Sequence, residues 1–209
     1  MHTIRHWTPR YVVSRTRVEL HRRTHPGSPW LTRQAIETLD RMLLPTDCGL
    51  EFGSGLSTLW FARRVKHLVS VEHDAAWHEK ISLDLKRQSL NNVDYRFAPL
   101  DVPPELGDQS EYARVALELP DASLDFVLVD GRYRDHCAWF VLPKLSSGGL
   151  LIIDNVNRFL PCGSHAPASR RPGDRTGDEV WGAVRRAIRG WRTIWTTDHV
   201  TDTAIFVKP

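Results

Sequence analysis

"LDFVLVD" at 124–130 and "LLIID" at 150–154 are apolar along their whole interior rather than at every second position. Strands of that kind are buried on both faces, as in a parallel sheet covered by helices on each side. Shorter runs of the same kind, "GLEF" at 49–52 and "HLVSVEH" at 67–73, precede them, with "VDYRFA" at 93–98 between. Helical patterns separate the runs. Ile36, Leu39 and Leu43 share one stripe between Ser28-Pro29 and Pro45, Trp77, Ile81 and Leu85 fall four apart after a capping Asp74, and Val180, Val184 and Ile188 align before Gly190. Helix and strand alternate through five cycles. The last two strands, "RTIWTT" and "DTAIFVK", are joined too tightly for a crossover helix and are therefore antiparallel. The expected fold is α/β, a Rossmann-like doubly wound, mostly parallel seven-stranded sheet with an antiparallel terminal hairpin.

The 209 residues suit one substantial domain over 29–209, preceded by a basic extension over 1–28. With 41% hydrophobic and 25% charged residues, the composition is that of a globular chain and excludes fibrous or disordered classes. No apolar run is long enough to span a bilayer, and no secretory leader or membrane partner is expected. Cys48, Cys137 and Cys162 are odd in number and lie in no paired spacing. They point to reduced thiols and a cytoplasmic location rather than a disulfide frame or zinc site. Residues 1–28 carry six arginines and four histidines against one acid, Glu19. No nucleic-acid motif accompanies that charge, so the segment is expected to pack on the domain or on a second copy of the chain as a homodimer, not to bind nucleic acid.

The turn after the first strand reads "GLEFGSGLSTLWFA". In doubly wound sheets ligands bind at the carboxyl ends of the strands, where this turn lies. Gly53 and Gly55 allow backbone angles and close approach that a Cβ would forbid. Ser57 and Thr58 open the next helix and offer hydroxyls and N–H groups to an anionic end. Glu72 ends the second strand 19 residues after Gly53, where a carboxylate can accept two ribose hydroxyls. These features describe a pocket for a nucleoside-bearing cofactor. A dinucleotide fingerprint needs a third glycine, and Thr58 stands in its place. Glu51, two residues before Gly53, repels a pyrophosphate and attracts the amino group and sulfonium of S-adenosylmethionine.

This stretch, the acid ending strand two and the antiparallel hairpin resemble the class I S-adenosylmethionine-dependent methyltransferases over about residues 29–209. The resemblance implies that Glu51, Gly53, Ser54, Gly55, Ser57 and Thr58 cradle the methionine part of the cofactor. It implies further that Glu72 holds the ribose and that His73 and Asp74 border the adenosine, with Pro99, Leu100 and Asp101 near the adenine.

Asp130 ends strand four, and Asp154 with Asn155 ends strand five. Oxygen donors of this kind suit Mg²⁺. The arrangement is similar to that of metal-dependent O-methyltransferases acting on catechols and caffeoyl thioesters, in which a cation lowers the pKa of the attacking hydroxyl. Those enzymes keep a lysine three residues past the first aspartate, where this chain has Tyr133. "DGRYR" looks more like small bacterial methyltransferases in which Asp130 orients cofactor or substrate without metal. There Tyr133, Arg134 or His136 would act as acid, base or anion clamp. Both alternatives stay open at this stage.

The leading expectation is methyl transfer to a small-molecule acceptor, at a hydroxyl oxygen. An NAD-dependent oxidoreductase and a non-catalytic nucleic-acid module are the competing classes. Residues 156–178, rich in Pro, Gly, Arg and Ser, are expected to overhang the pocket, with Arg158, Arg170, Arg171 and Arg175 available to an acidic substrate. Trp60, Trp77 and Trp181 are expected in the core, and Trp30 and Trp139 nearer the pocket.

Overall fold

The structure, a computed structural model, describes residues 8–209. Its sheet has seven strands: β1 (Cys48–Phe52), β2 (His67–Glu72), β3 (Val93–Phe97), β4 (Leu124–Val129), β5 (Leu145–Asp154), β6 (Arg192–Thr197) and β7 (Asp202–Val207). Their order is β3-β2-β1-β4-β5-β7-β6, and β7 alone runs antiparallel to its neighbours. The order reverses beside β1, which sets the turn after β1 at the switch point of the sheet.

Among the described residues, seven α-helices accompany the strands: α1 (Pro9–Thr24), α2 (Arg33–Met42), α3 (Leu56–Ala62), α4 (Ala75–Arg87), α5 (Glu111–Arg114), α6 (Arg134–Phe140) and α7 (Glu179–Ala187). On one face of the sheet, Ala35 and Leu39 of α2 and Phe61 of α3 close over Leu68, Phe126, Leu128 and Ile152. On the other, Tyr112, Cys137, Ala138, Trp181 and Val184 from α5, α6 and α7 cover Leu50, Phe52, Val127, Val129 and Ile153. Each fully buried aliphatic or Phe side chain there contributes about 1.5–3 kcal/mol. Among the described residues, no helix is long and apolar enough to cross a membrane.

Three local readings change, and one further segment gains its structure. The helix expected to open at Ser28-Pro29 starts at Arg33, because Thr32 is the N-cap and is drawn back to the sheet by bonds to Thr196 Oγ1 and Thr203 Oγ1. β5 begins at Leu145 instead of Leu150, taking in the Ser-Ser-Gly-Gly stretch. The basic extension forms α1, in which only Ser14 is buried. Residues 98–123, which show no strong period, hold α5 and two short 3₁₀ turns that bury Tyr112, Ala113, Val115 and Ala116.

Candidate active site

Alternation along β1 sends Leu50 and Phe52 to one face and Glu51 to the other, opposite Ser70 of β2. Glu51 is therefore fully buried beneath the turn, not on its rim. Its Oε2 accepts from Thr58 Oγ1 at 2.6 Å and Ser70 Oγ at 2.7 Å. Thr58 Oγ1 accepts in turn from the N–H of Gly55 at 2.9 Å. Burial pushes the Glu51 carboxyl up to about 7, against the pull of the hydroxyl donors around it. Glu51 and Thr58, both expected to touch the cofactor, brace the turn from below, and Glu51 Oε1 has no hydrogen-bond partner among the described residues.

Above them lies a cavity of about 700 Å³, within the usual range for small-molecule sites. Gly53, Ser54, Gly55 and Ser57 line it from the turn, Glu72, His73 and Asp74 from the end of β2, and Asp130 and Arg134 from the end of β4. Gly53 has φ +92°, and a Cβ on it would come within 2.7 Å of the Gly131 backbone. A Cβ on Gly131 would strike the Tyr112 hydroxyl at 1.9 Å. The two turns touch backbone to backbone, which no side chain permits.

Glu72 is 3% exposed. Its Oε2 accepts from the N–H of Ser54 at 3.1 Å and from Ser54 Oγ at 2.8 Å; its Oε1 accepts from the N–H groups of His73 and Asp74, both at 2.8 Å. Ser54 Oγ also lies 2.6 Å from the hydroxyl of Tyr95. Asp74 caps α4, accepting from the N–H of Trp77 at 2.8 Å.

Sequence reasoning missed part of the wall. Trp77, expected in the core, faces the cavity with Lys80 and Asp84, and its Nε1 donates to the carbonyl of Ser54 at 2.8 Å. The i, i+3, i+7 spacing of these three on α4 was the available signal. Trp30 does line the cavity, whereas Trp139 does not. Leu100 stands exposed and is absent from this wall, and Asp101 caps α5 through Ser110 Oγ and the N–H of Glu111.

The rim over β4 and β5 is built around Arg134. Its Nη2 donates to Asp130 Oδ1 and to the Asp130 carbonyl, both at 2.7 Å, and its Nε to the Gly131 carbonyl at 3.0 Å. Its Nη1 reaches the Asp154 carbonyl at 2.6 Å and Asn155 Oδ1 at 3.4 Å. Asp154 is buried, with Oδ1 taken by Thr203 Oγ1 at 2.7 Å and Oδ2 by Asn155 Nδ2 at 2.6 Å. Burial raises the Asp130 carboxyl, against the opposing pull of Arg134; burial and the nearby Asp130 raise that of Asp154. The expected Mg²⁺ ligand set does not fit this arrangement. Each Asp154 carboxylate oxygen already accepts a hydrogen bond, and the Arg134 guanidinium spans Asp130 Oδ1, the Asp154 carbonyl and Asn155 Oδ1. Among the described residues, no group of three or more His, Cys, Asp or Glu is arranged to hold a metal.

Tyr133 and His136 are absent from this cavity wall and line a neighbouring cavity of about 670 Å³, which shares Gly131, Arg132 and Arg134 with the first. The Tyr133 hydroxyl donates to the Val102 carbonyl. His136 is buried, with Nδ1 3.2 Å from Asp135 Oδ2. The Tyr133 hydroxyl is thereby engaged, whereas His136 Nδ1 has no hydrogen-bond partner among the described residues; neither ring lines the first cavity. Of the arginines after β5, Arg158 lines this second cavity with Phe159, which stacks on Trp181 at 4.9 Å. Arg170 is spent on the carbonyls of Arg158 and Arg175.

Many solved structures match this topology, among them these three. A protein from Staphylococcus aureus, provisionally described as a caffeoyl-CoA O-methyltransferase, is 19% identical with a TM-score of 0.58 over 92% of each chain. A methyltransferase from Geobacter sulfurreducens is 15% identical, with a TM-score of 0.55 over 94% of this chain and 89% of that one. The chain has the class I methyltransferase fold. An rRNA methylase from Streptococcus thermophilus shares that fold at 11% identity, with a TM-score of 0.54 over 84% of this chain and 94% of that one. No protein-family model matches the chain, and no curated protein matches it in sequence. A class I methyltransferase fold fixes where a ligand sits more firmly than which acceptor is used.

Proposed function

We propose that the chain transfers a methyl group from S-adenosylmethionine to the hydroxyl oxygen of a small-molecule acceptor. One observation carries this reading: the glycine turn, the Glu72 carboxylate and Asp130 line a single cavity at the switch point of a class I methyltransferase fold. The residues suit the donor. A Cβ at Gly55 would meet nothing closer than Trp77 at 3.9 Å, so the turn leaves room for close approach from the cavity. Glu72 supplies the acceptor for ribose hydroxyls. Its four lone-pair sites are filled, but Ser54 Oγ keeps Tyr95 as a second partner, so a ribose hydroxyl displaces it without orphaning it.

When bound, the donor supplies a sulfonium methyl open to in-line displacement. The chain's part is alignment and removal of one proton. Asp130 is the group for that proton. Its Oδ1 is held by Arg134, its Oδ2 has no hydrogen-bond partner among the described residues, and burial raises its proton affinity against the pull of Arg134. Arg134 positions the carboxylate and keeps the ends of β4 and β5 together. No step uses a divalent cation, because the Arg134 guanidinium already spans Asp130 Oδ1 and Asn155 Oδ1 and each Asp154 carboxylate oxygen already accepts a hydrogen bond.

Calorimetry tests the reading. S-adenosylhomocysteine should bind one to one at micromolar concentration and NAD should not; binding of NAD without S-adenosylhomocysteine would refute it.

A further inference from the structure

The start of α1, the loop after β5 and the turn joining β6 to β7 enclose a separate cavity of about 550 Å³. It shares no lining residue with the cavity assigned to the methyl donor. Its charged and ionisable lining is Arg10, His165, Arg171 and His199, together with the Tyr11 phenol, and no carboxylate faces it. Arg10 Nη2 lies 3.0 Å from His199 Nε2. A guanidinium can only donate, so His199 Nε2 is the acceptor in this contact. Neither Arg10 nor Arg171 forms a salt bridge among the described residues. Two guanidinium ions thus face one concave space with no carboxylate on its wall among the described residues; the Asp174 carboxylate meets Arg171 only at its backbone N–H, at 2.6 Å.

We propose that this cavity binds a phosphate-bearing anion. Arg10 and Arg171 match a charge of two, and the imidazoles of His165 and His199 supply further donors. A tetrahedral dianion can take donors from several directions at once, whereas a carboxylate is planar and carries one charge. His199 and Ala168, both on the wall, hold left-handed backbones at φ +66° and +61°, uncommon for residues with a Cβ.

The test is titration calorimetry on the full chain with inorganic phosphate, glycerol phosphate, acetate and a single-stranded RNA oligomer, without methyl donor. It reads anion binding alone, so its outcome is independent of the methyl-transfer assignment. Phosphate or glycerol phosphate should bind one to one, and the tighter of the two identifies a free phosphate or a phosphomonoester as the natural class. The double variant Arg10→Ala/Arg171→Ala should bind at least tenfold more weakly, while Arg185→Ala, exposed on α7, should bind as the native chain does. All these positions are exposed, and thermal melts check that the variants fold. Absence of phosphate binding, equal binding by the double variant, or acetate binding as tight as phosphate would overturn the proposal. So would RNA binding that depends equally on Arg17 and Arg22, which would assign the charge to a macromolecule.

Discussion

Ser54 donates twice to one oxygen of Glu72, through its backbone N–H at 3.1 Å and its hydroxyl at 2.8 Å. The tip of the glycine turn is thereby latched to the end of β2, and the proposed ribose acceptor is held in its rotamer before any ligand arrives. Glu72→Ala removes both the latch and the acceptor. We expect S-adenosylhomocysteine affinity to fall about 10- to 100-fold, as for loss of hydrogen bonds to a charged group. Ser54→Ala should change it by less than about threefold, since Glu72 keeps its backbone donors. Calorimetry on both variants decides; unchanged affinity in Glu72→Ala would refute the ribose role.

Glu51 gives a pH prediction. Its folded pKa, about 7, lies above the ordinary 4.5. The native state therefore holds a proton that the unfolded chain releases, and stability attached to Glu51 is lost as pH rises from about 4.5 to 7. Glu51→Gln cannot ionise. The melting temperature of the variant relative to the native chain should rise across that window, by the equivalent of up to about 3 kcal/mol. A gap that is flat with pH would show that Glu51 titrates normally.

Arg134→Met strips five donors from the rim and leaves Asp130 beside Asp154 with only the more weakly acting Arg158 as countercharge. The loss should be about 3 kcal/mol in denaturant unfolding, as for a buried pair broken on one side. Adding Asp130→Asn should recover part of it, and a simple sum of the two single losses would argue against coupling.

Chelation should leave methyl transfer intact. A Mn²⁺ titration followed by electron paramagnetic resonance should show no site at the β4–β5 rim. Binding that disappears in Asp154→Asn would restore the metal reading.

Gly53→Ala meets both a positive φ and the Gly131 backbone at 2.7 Å. It should lower stability by at least about 2 kcal/mol and abolish S-adenosylhomocysteine binding. A folded variant that binds normally would mean the turn is looser than this contact implies.

Much of the fold was legible because its strands are buried on both faces, a condition that only near-continuous apolar runs meet. Helix α1 was not, since with only Ser14 buried it has no apolar face to leave a period in the sequence. The segment carrying Tyr112 was hidden in turns too short for any period. At the site, Glu72, Asp130 and the glycines could be located from strand ends. Glu51 could not be placed by its distance from Gly53 alone. The twofold alternation of β1, with Ser70 opposite and Thr58 seven residues on, carried the information that it points inward. Tyr133 and His136 show the limit of counting from a strand end: the left-handed backbone at Tyr133, φ +44°, turns the chain so that both leave the first cavity.

The contact between Gly53 and Gly131 has a practical corollary for anyone wishing to redirect the proposed methyl transfer toward new acceptors. Because the two loops interlock without side chains, diversity introduced at either position would mostly yield unfolded clones. Libraries are better spent on the neighbouring wall formed by Arg158, Phe159 and Val180, where bulk can change while the donor cradle stays intact.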